Sequence, residues 1–153
     1  MFLRTTLTSV VISLCMAAGA WSQNPAQLGN TAFEEGRYTE AVTHYQNALS
    51  EEPTFAVYVN LGHACMRLEQ WTDAIASYRA AIELDAASAT SDVWLFLGQA
   101  HYQIRQYGEA LDAFLEAAAS GANQQTSIWI ARCLIDLEQW LRAKSALMAH
   151  LGT

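Results

Sequence analysis

The chain has 153 residues, enough for one domain with its own core. Lysine and arginine number 8 against 15 aspartates and glutamates, giving a formal charge of −7 and a pI near 4.9. Binding a phosphate backbone needs clustered cations that displace counterions, and no basic run occurs, so nucleic acid is not an expected partner.

The first element, residues 1–20, has the form of a signal peptide. Arg4 supplies the positive start, and an uncharged, mostly apolar stretch follows through Leu7, Val10, Val11, Ile12, Leu14 and Met16. Ala18-Gly19-Ala20 then offers an A-x-A cleavage pattern before Trp21. The apolar core is shorter than the roughly 20 residues a spanning helix needs, so cleavage after Ala20 is expected rather than an uncleaved anchor. Ser13-Leu14 fits a lipoprotein signal at Cys15 poorly. These features predict a secreted or periplasmic chain, with no stable membrane insertion of the mature protein.

From about Gln23 onward one pattern repeats. Leu28-Gly29, Leu61-Gly62 and Leu97-Gly98 open three units, and Ile130-Ala131 opens a fourth. Nine residues after each small residue stands an aromatic, namely Tyr38, Trp71, Tyr107 and Trp140. Three residues further comes an alanine, Ala41, Ala74, Ala110 or Ala143, and these alanines are spaced by 33, 36 and 33 residues. Four positions later is a large residue: Tyr45, Tyr78, Phe114 or Leu147. The small residues let two antiparallel helices approach, the aromatic covers the turn between them, and the large residue fills the gap to the neighbouring unit. Pro53 ends the first unit, because its ring cannot continue a helix. The spacing predicts first helices over about 25–35, 55–69, 92–105 and 124–138, and second helices over about 39–51, 72–85, 109–119 and 141–151.

These residues in this register resemble the tetratricopeptide repeat family over about 130 of the 153 residues. The resemblance implies an all-α chain, an α-α superhelix of four antiparallel helical hairpins. The repeat domain would span 23–153, with units near 22–54, 55–90, 91–123 and 124–153. Only Pro53 keeps the family's proline after a second helix, and the fourth unit lacks the glycine. A whole hairpin separates Cys65 from Cys133, so a bridge between them is not expected; both suit buried positions.

Catalytic and metal motifs are missing from the sequence. His44, His63, His101 and His150 fall at no zinc-ligand spacing, and there is no G-x-S-x-G or phosphate-cradling glycine loop. No catalytic residue, metal or cofactor is expected. The family's concave face is lined by first helices, which here supply three rows. One row is apolar, with Val59, Leu95 and Ile128 preceded by Ala26; a polar row holds Asn30, His63, Gln99 and Arg132. A large row holds Phe33, Met66, Tyr102 and Ile135. Such a mixture suits a peptide or protein partner, with apolar anchors and polar groups that set its register.

One family variant clamps C-terminal carboxylates of chaperones. Asn30 and Asn60 match its asparagines, but Ala26, Asp92 and Phe96 stand at its cationic positions, so the clamp is not expected. The sequence reads as an exported interaction or scaffold module for envelope complex assembly. The alternative is a periplasmic receptor for a small ligand or peptide, with an enzyme further behind. Leu141, Ala146, Leu147, Met148 and Leu151 in the last predicted helix suggest self-association there.

Overall fold

The computed structural model describes residues 24–121 and 124–151, with side chains followed as far as Arg142. The expected leader over 1–20 and its cut after Ala20 lie outside the described residues. So do the side chains of Ala143, Ala146, Leu147, Met148 and Leu151.

The described chain is helical throughout. In order it forms α1 (Pro25–Glu34), α2 (Tyr38–Glu51), α3 (Phe55–Arg67), α4 (Trp71–Leu84), α5 (Ser91–Gln103), α6 (Tyr107–Gly121) and α7 (Gln124–Leu151). A 3-10 turn over Ala86–Ser88 bridges α4 and α5 and takes up the longer spacing there; Asp85 accepts from the backbone N–H of Ala87 and Ser88. Starts are written locally. Asn24 caps α1 by accepting from Ala26 N at 2.9 Å, with Pro25 in the first turn, where its missing N–H costs nothing. Thr54 caps α3 through Val57 N, directly after Pro53.

Three hairpins, α1–α2, α3–α4 and α5–α6, close through the same turn. Each first helix ends in a paired bond pattern, such as Arg37 N to Ala32 O at 2.8 Å with Gly36 N to Phe33 O at 3.0 Å. The left-handed residue this turn demands is Gly36 in the first hairpin, but Glu69 (φ 57) and Arg105 (φ 62) in the others.

Ring-on-glycine packing holds each hairpin together. A Cβ built on Gly29 would lie 2.5 Å from the Tyr45 ring, one on Gly62 2.6 Å from Tyr78, and one on Gly98 2.5 Å from Phe114. Each ring therefore fills the space left by the glycine of its own hairpin. Tyr78 and Phe114 also stack on the next first helix, against Phe96 and Trp129. The large residue thus serves both its own hairpin and its neighbour. Ala41, Ala74, Ala110, Ala48, Ala81 and Ala117 are all buried around these rings. Cys65 and Cys133 are free, buried thiols.

The fourth unit departs from expectation. The predicted helices 124–138 and 141–151 are one continuous helix, α7, so the fourth hairpin does not form and three hairpins lead into a single long helix. Ala131 stands where the other units have glycine, and Leu147 where they have a ring, so the interlock that secures a hairpin is missing from this unit. Without it, nothing offsets the roughly 1–2 kcal/mol that a left-handed non-glycine residue costs.

Candidate peptide groove

The first helices α1, α3 and α5 and the N-terminal half of α7 supply the candidate groove. Two adjoining cavities lie in it. The smaller, about 260 Å³, is lined by Asn30, Phe33, Glu34, Tyr45, Asn60 and His63. The larger, about 450 Å³, is lined by Phe33, His63, Met66, Arg67, Trp71, Phe96, Gln99, Gln103 and Trp129.

At the first, an amide pair is held in place. Asn30 Oδ1 accepts from Tyr45 Oη at 2.9 Å and from Asn60 Nδ2 at 3.0 Å. With its oxygen occupied twice, Asn30 keeps its own Nδ2 hydrogens for a ligand, and Asn60 keeps one hydrogen and its carbonyl. Those are the groups that read a peptide backbone. Burial pushes the Tyr45 phenol up to about 12, so it stays protonated and donating.

His63 joins the two cavities. Its Nδ1 lies 2.7 Å from Tyr78 Oη, and its ring packs edge-on against Phe96 at 4.8 Å. Burial holds the imidazole below its ordinary 6.5, with Asp92 opposing in part. A neutral imidazole accepting from Tyr78 at Nδ1 carries its proton on Nε2. Phe33, Met66, Trp71, Phe96 and Trp129 wall the larger cavity, with Gln99 and Gln103 between them and Arg67 over the Tyr38 ring.

Further along, Tyr102 hydroxyl donates to Asp136 and accepts from Arg132 Nε at 3.0 Å. The Arg132 guanidinium also lies 5.5 Å from the centroids of both Tyr102 and Trp129. Arg132 is therefore tied into this cluster by three contacts to two residues, Tyr102 and Trp129.

Of the residues expected to line the groove, Asn30, Phe33, His63, Met66 and Gln99 line its cavities. Tyr102 and Arg132 form the adjoining cluster. Leu95 does not line it: at 3% exposure it lies in the core with Phe114 and Cys133, because α6 and α7 close over it. Val59 packs partly buried against the main core. Ile128 and Ile135 are exposed on α7, at 59% and 58%, and line neither cavity. The expected rows omitted Asn60, Phe96 and Trp129, three positions before His63, Gln99 and Arg132. They also omitted Arg67 and Gln103, four positions after His63 and Gln99. The i−3 and i+4 neighbours of the polar row share its face, so that spacing was the available signal.

Outside the groove, a cavity of about 360 Å³ between α4, α5 and α6 has Trp94 and Leu97 with Glu83, Glu109, Asp112 and Glu116 around it. His101 there is bonded through Nδ1 to Gln106 Oε1 at 2.6 Å and faces Arg79 through Nε2 at 3.4 Å.

Known proteins share this fold and repeat. Mouse (Mus musculus) sperm-associated antigen 1 is 42% identical over 57 residues, which cover 37% of this chain and 6% of that protein. The Hsp70-Hsp90 organising protein of Plasmodium falciparum is 28% identical over 132 residues, covering 86% of this chain and 51% of its own. The chain thus spans about half of one of these relatives and a small part of the other. Among solved structures, the first TPR of Spaghetti (RPAP3), bound to the HSP90 peptide SRMEEVD, superposes with TM-score 0.69 at 20% identity, over 76% of this chain and 95% of that one. Yeast Tom70 does so with TM-score 0.71 at 19% identity, over 79% of this chain and 25% of its own. At such identities the likeness is one of fold. The tetratricopeptide repeat model matches residues 27–89 and again 61–125, and the chain belongs to the tetratricopeptide repeat family.

Proposed function

We propose that this chain is an exported interaction module that holds an internal, apolar-anchored segment of a partner protein in its groove, in the service of envelope complex assembly. The observation that carries the binding reading is the cavity of about 450 Å³ walled by Phe33, Met66, Trp71, Phe96 and Trp129. It joins the fixed Asn30–Asn60 amide pair. Apolar walls supply affinity, and a few oriented amides set the register of an extended chain.

The peptide held by the Spaghetti domain is acidic towards its end, SRMEEVD. Here Ala26, Asp92 and Phe96 stand at the positions where the family's carboxylate clamp has cations, and the whole chain carries −7. A terminal carboxylate would lose its water and gain little in return. An internal segment with a bulky apolar side chain fits better. The same lining supplies amides and rings suited to holding a chain, with Glu34, His63 and Arg67 among its titratable groups. Export rests on the leader-like residues 1–20.

Selection from a displayed random peptide library tests the groove. Phe, Trp, Leu or Met should be enriched, and amidated and free-acid versions of a selected peptide should bind alike. Phe96→Ala should weaken binding about tenfold. A strong free-acid preference together with an indifferent Phe96→Ala would refute the reading. For export, the mature chain recovered from the periplasm should begin at Trp21; recovery of the intact leader in the cytoplasm would remove that part.

A further inference from the structure

In each of the three hairpins the first helix turns one face to its own second helix. That face holds Gly29 in α1, Gly62 in α3 and Gly98 in α5, each under a ring of its own second helix, and Ala32, Cys65 and His101 one turn on are buried with them. The positions in the same register of α7 are Ala131 and Leu134. Ala131 is exposed and Leu134 retains 48% of its surface. The face that a hairpin partner covers three times is bare the fourth time.

What should cover it is written in the repeat. The covering helices α2, α4 and α6 bring an alanine and, four residues later, a large side chain. The remaining segment of that kind is 141–151, with Ala143 and Leu147. It follows Leu137-Glu138-Gln139-Trp140, the same tetrapeptide as Leu68-Glu69-Gln70-Trp71, which makes the turn between α3 and α4. In α7 that tetrapeptide is helical. The helix is continuous for 28 residues, roughly 42 Å, and carries 141–151 away from the face it matches.

A continuous helix with the bare face on one half and the matching segment on the other is complementary to a second copy of itself. Two α7 helices placed antiparallel, with a two-fold axis near Gln139, lay 141–151 of each on 124–138 of the other. Charge agrees with that arrangement. Residues 124–138 carry Arg132 against Asp136 and Glu138, a net −1, and residues 139–151 carry Arg142 and Lys144, a net +2, with Arg142 bridging to Glu138 across the junction of the two halves. The pairing sets unlike halves together twice.

We propose that two copies of this chain associate by exchanging residues 141–151, so that the hairpin interface of the earlier units is rebuilt between chains at α7. Leu147 of one copy then lies opposite Ala131 of the other, as Tyr78 lies opposite Gly62 within a chain. The inference rests on the hairpin architecture and not on peptide binding in the groove, so each can fail without the other.

The test uses the full chain in a Cys15→Ser background, with the buried Cys65 and Cys133 left in place. Light scattering should give twice the monomer mass at about 100 μM, in the range where modest interfaces assemble. Differently tagged Ala131→Cys and Leu147→Cys chains, mixed and oxidised, should form the mixed disulfide. Two Ala131→Cys chains should not cross-link, because those sites sit roughly 24 Å apart across the axis and a disulfide needs Cα atoms within about 7 Å. Glu138→Gly eases the left-handed turn and should favour closure within one chain, weakening the dimer roughly five-fold. A monomer at every concentration would overturn the proposal. So would a dimer without the mixed disulfide, or an intrachain link in an Ala131→Cys/Leu147→Cys monomer.

Discussion

Gly62→Ala tests the ring-on-glycine interlock directly. The added Cβ would sit 2.6, 2.8 and 2.9 Å from Cε1, Cζ and Cδ1 of Tyr78, where carbon contacts settle near 3.5–4.0 Å. The ring would have to retreat by about 1 Å to restore contact distance. It has no room to do so: Tyr78 is 0% exposed, its hydroxyl is bonded to His63, and its face stacks on Phe96. Overpacking costs about 1–3 kcal/mol, and the tight setting places this site at the top of that range. Alanine returns up to about 1 kcal/mol as the better helix former. The net is a loss of about 2 kcal/mol, which lowers Tm by roughly 8 °C for a chain of this size. Gly108→Ala in α6 is the matched control, because its Cβ would meet nothing within 4 Å. That variant should gain about 0.5–1 kcal/mol from helix propensity alone. Urea unfolding followed by far-UV circular dichroism measures both. Equal stability changes of the same sign in the two variants would refute the reasoning.

Three further outcomes are expected. Tyr45→Phe removes one of two bonds to Asn30 Oδ1, so it should cost about 1 kcal/mol in urea unfolding and weaken groove peptides as the amide loosens. Burial holds both His63 and His101 below their ordinary 6.5, so the unfolded chain binds the extra protons in acid. Their contribution to stability is complete above about pH 6.5 and is lost as pH falls below it, so the urea midpoint should drop between about pH 7.5 and about pH 5.5. Ala26→Lys, Asp92→Lys and Phe96→Arg together supply the cations that Asn30 and Asn60 lack beside them. Fluorescence polarisation should then show about a tenfold preference for a free C-terminal acid over its amide, absent in the parent chain.

Much of the fold was legible because its main contact is written twice over. A glycine in one helix and a ring sixteen residues later, as Gly62 and Tyr78, mark both members of a contact that the structure shows to be tight. The groove was less legible. The rows found Asn30, His63 and Gln99 by polarity and Phe33 and Met66 by size, but they left out Trp129 and took Phe96 only as a missing clamp cation. Leu95 passed for lining because the rows treat every unit alike. Only the third first-helix has α6 and α7 closing over that position. Arg132 stood in the polar row by residue type alone, whereas its place in the site depends on Tyr102 in the previous unit, whose hydroxyl also donates to Asp136 one turn on.

The two copies of Leu-Glu-Gln-Trp separate local from tertiary causes. Residues 68–71 and 137–140 have the same propensities, the same turn residue and the same aromatic, yet one reverses the chain and the other continues a helix. Local sequence therefore leaves the choice open. Glu69 takes φ 57 against its own preference, and what holds it there is the return of α4, with Tyr78 seated on Gly62. At 131 and 147 the seat is an alanine and the ring a leucine, so the return would gain less while the turn costs the same. The same balance predicts a remedy: Ala131→Gly with Leu147→Tyr should restore the interlock and bend α7 at 138–139. Far-UV helicity would then be nearly unchanged, while Trp140 should lose its exposure to a fluorescence quencher. If Trp140 stayed as open as its present 46%, packing on the glycine would not be what closes a hairpin in this chain.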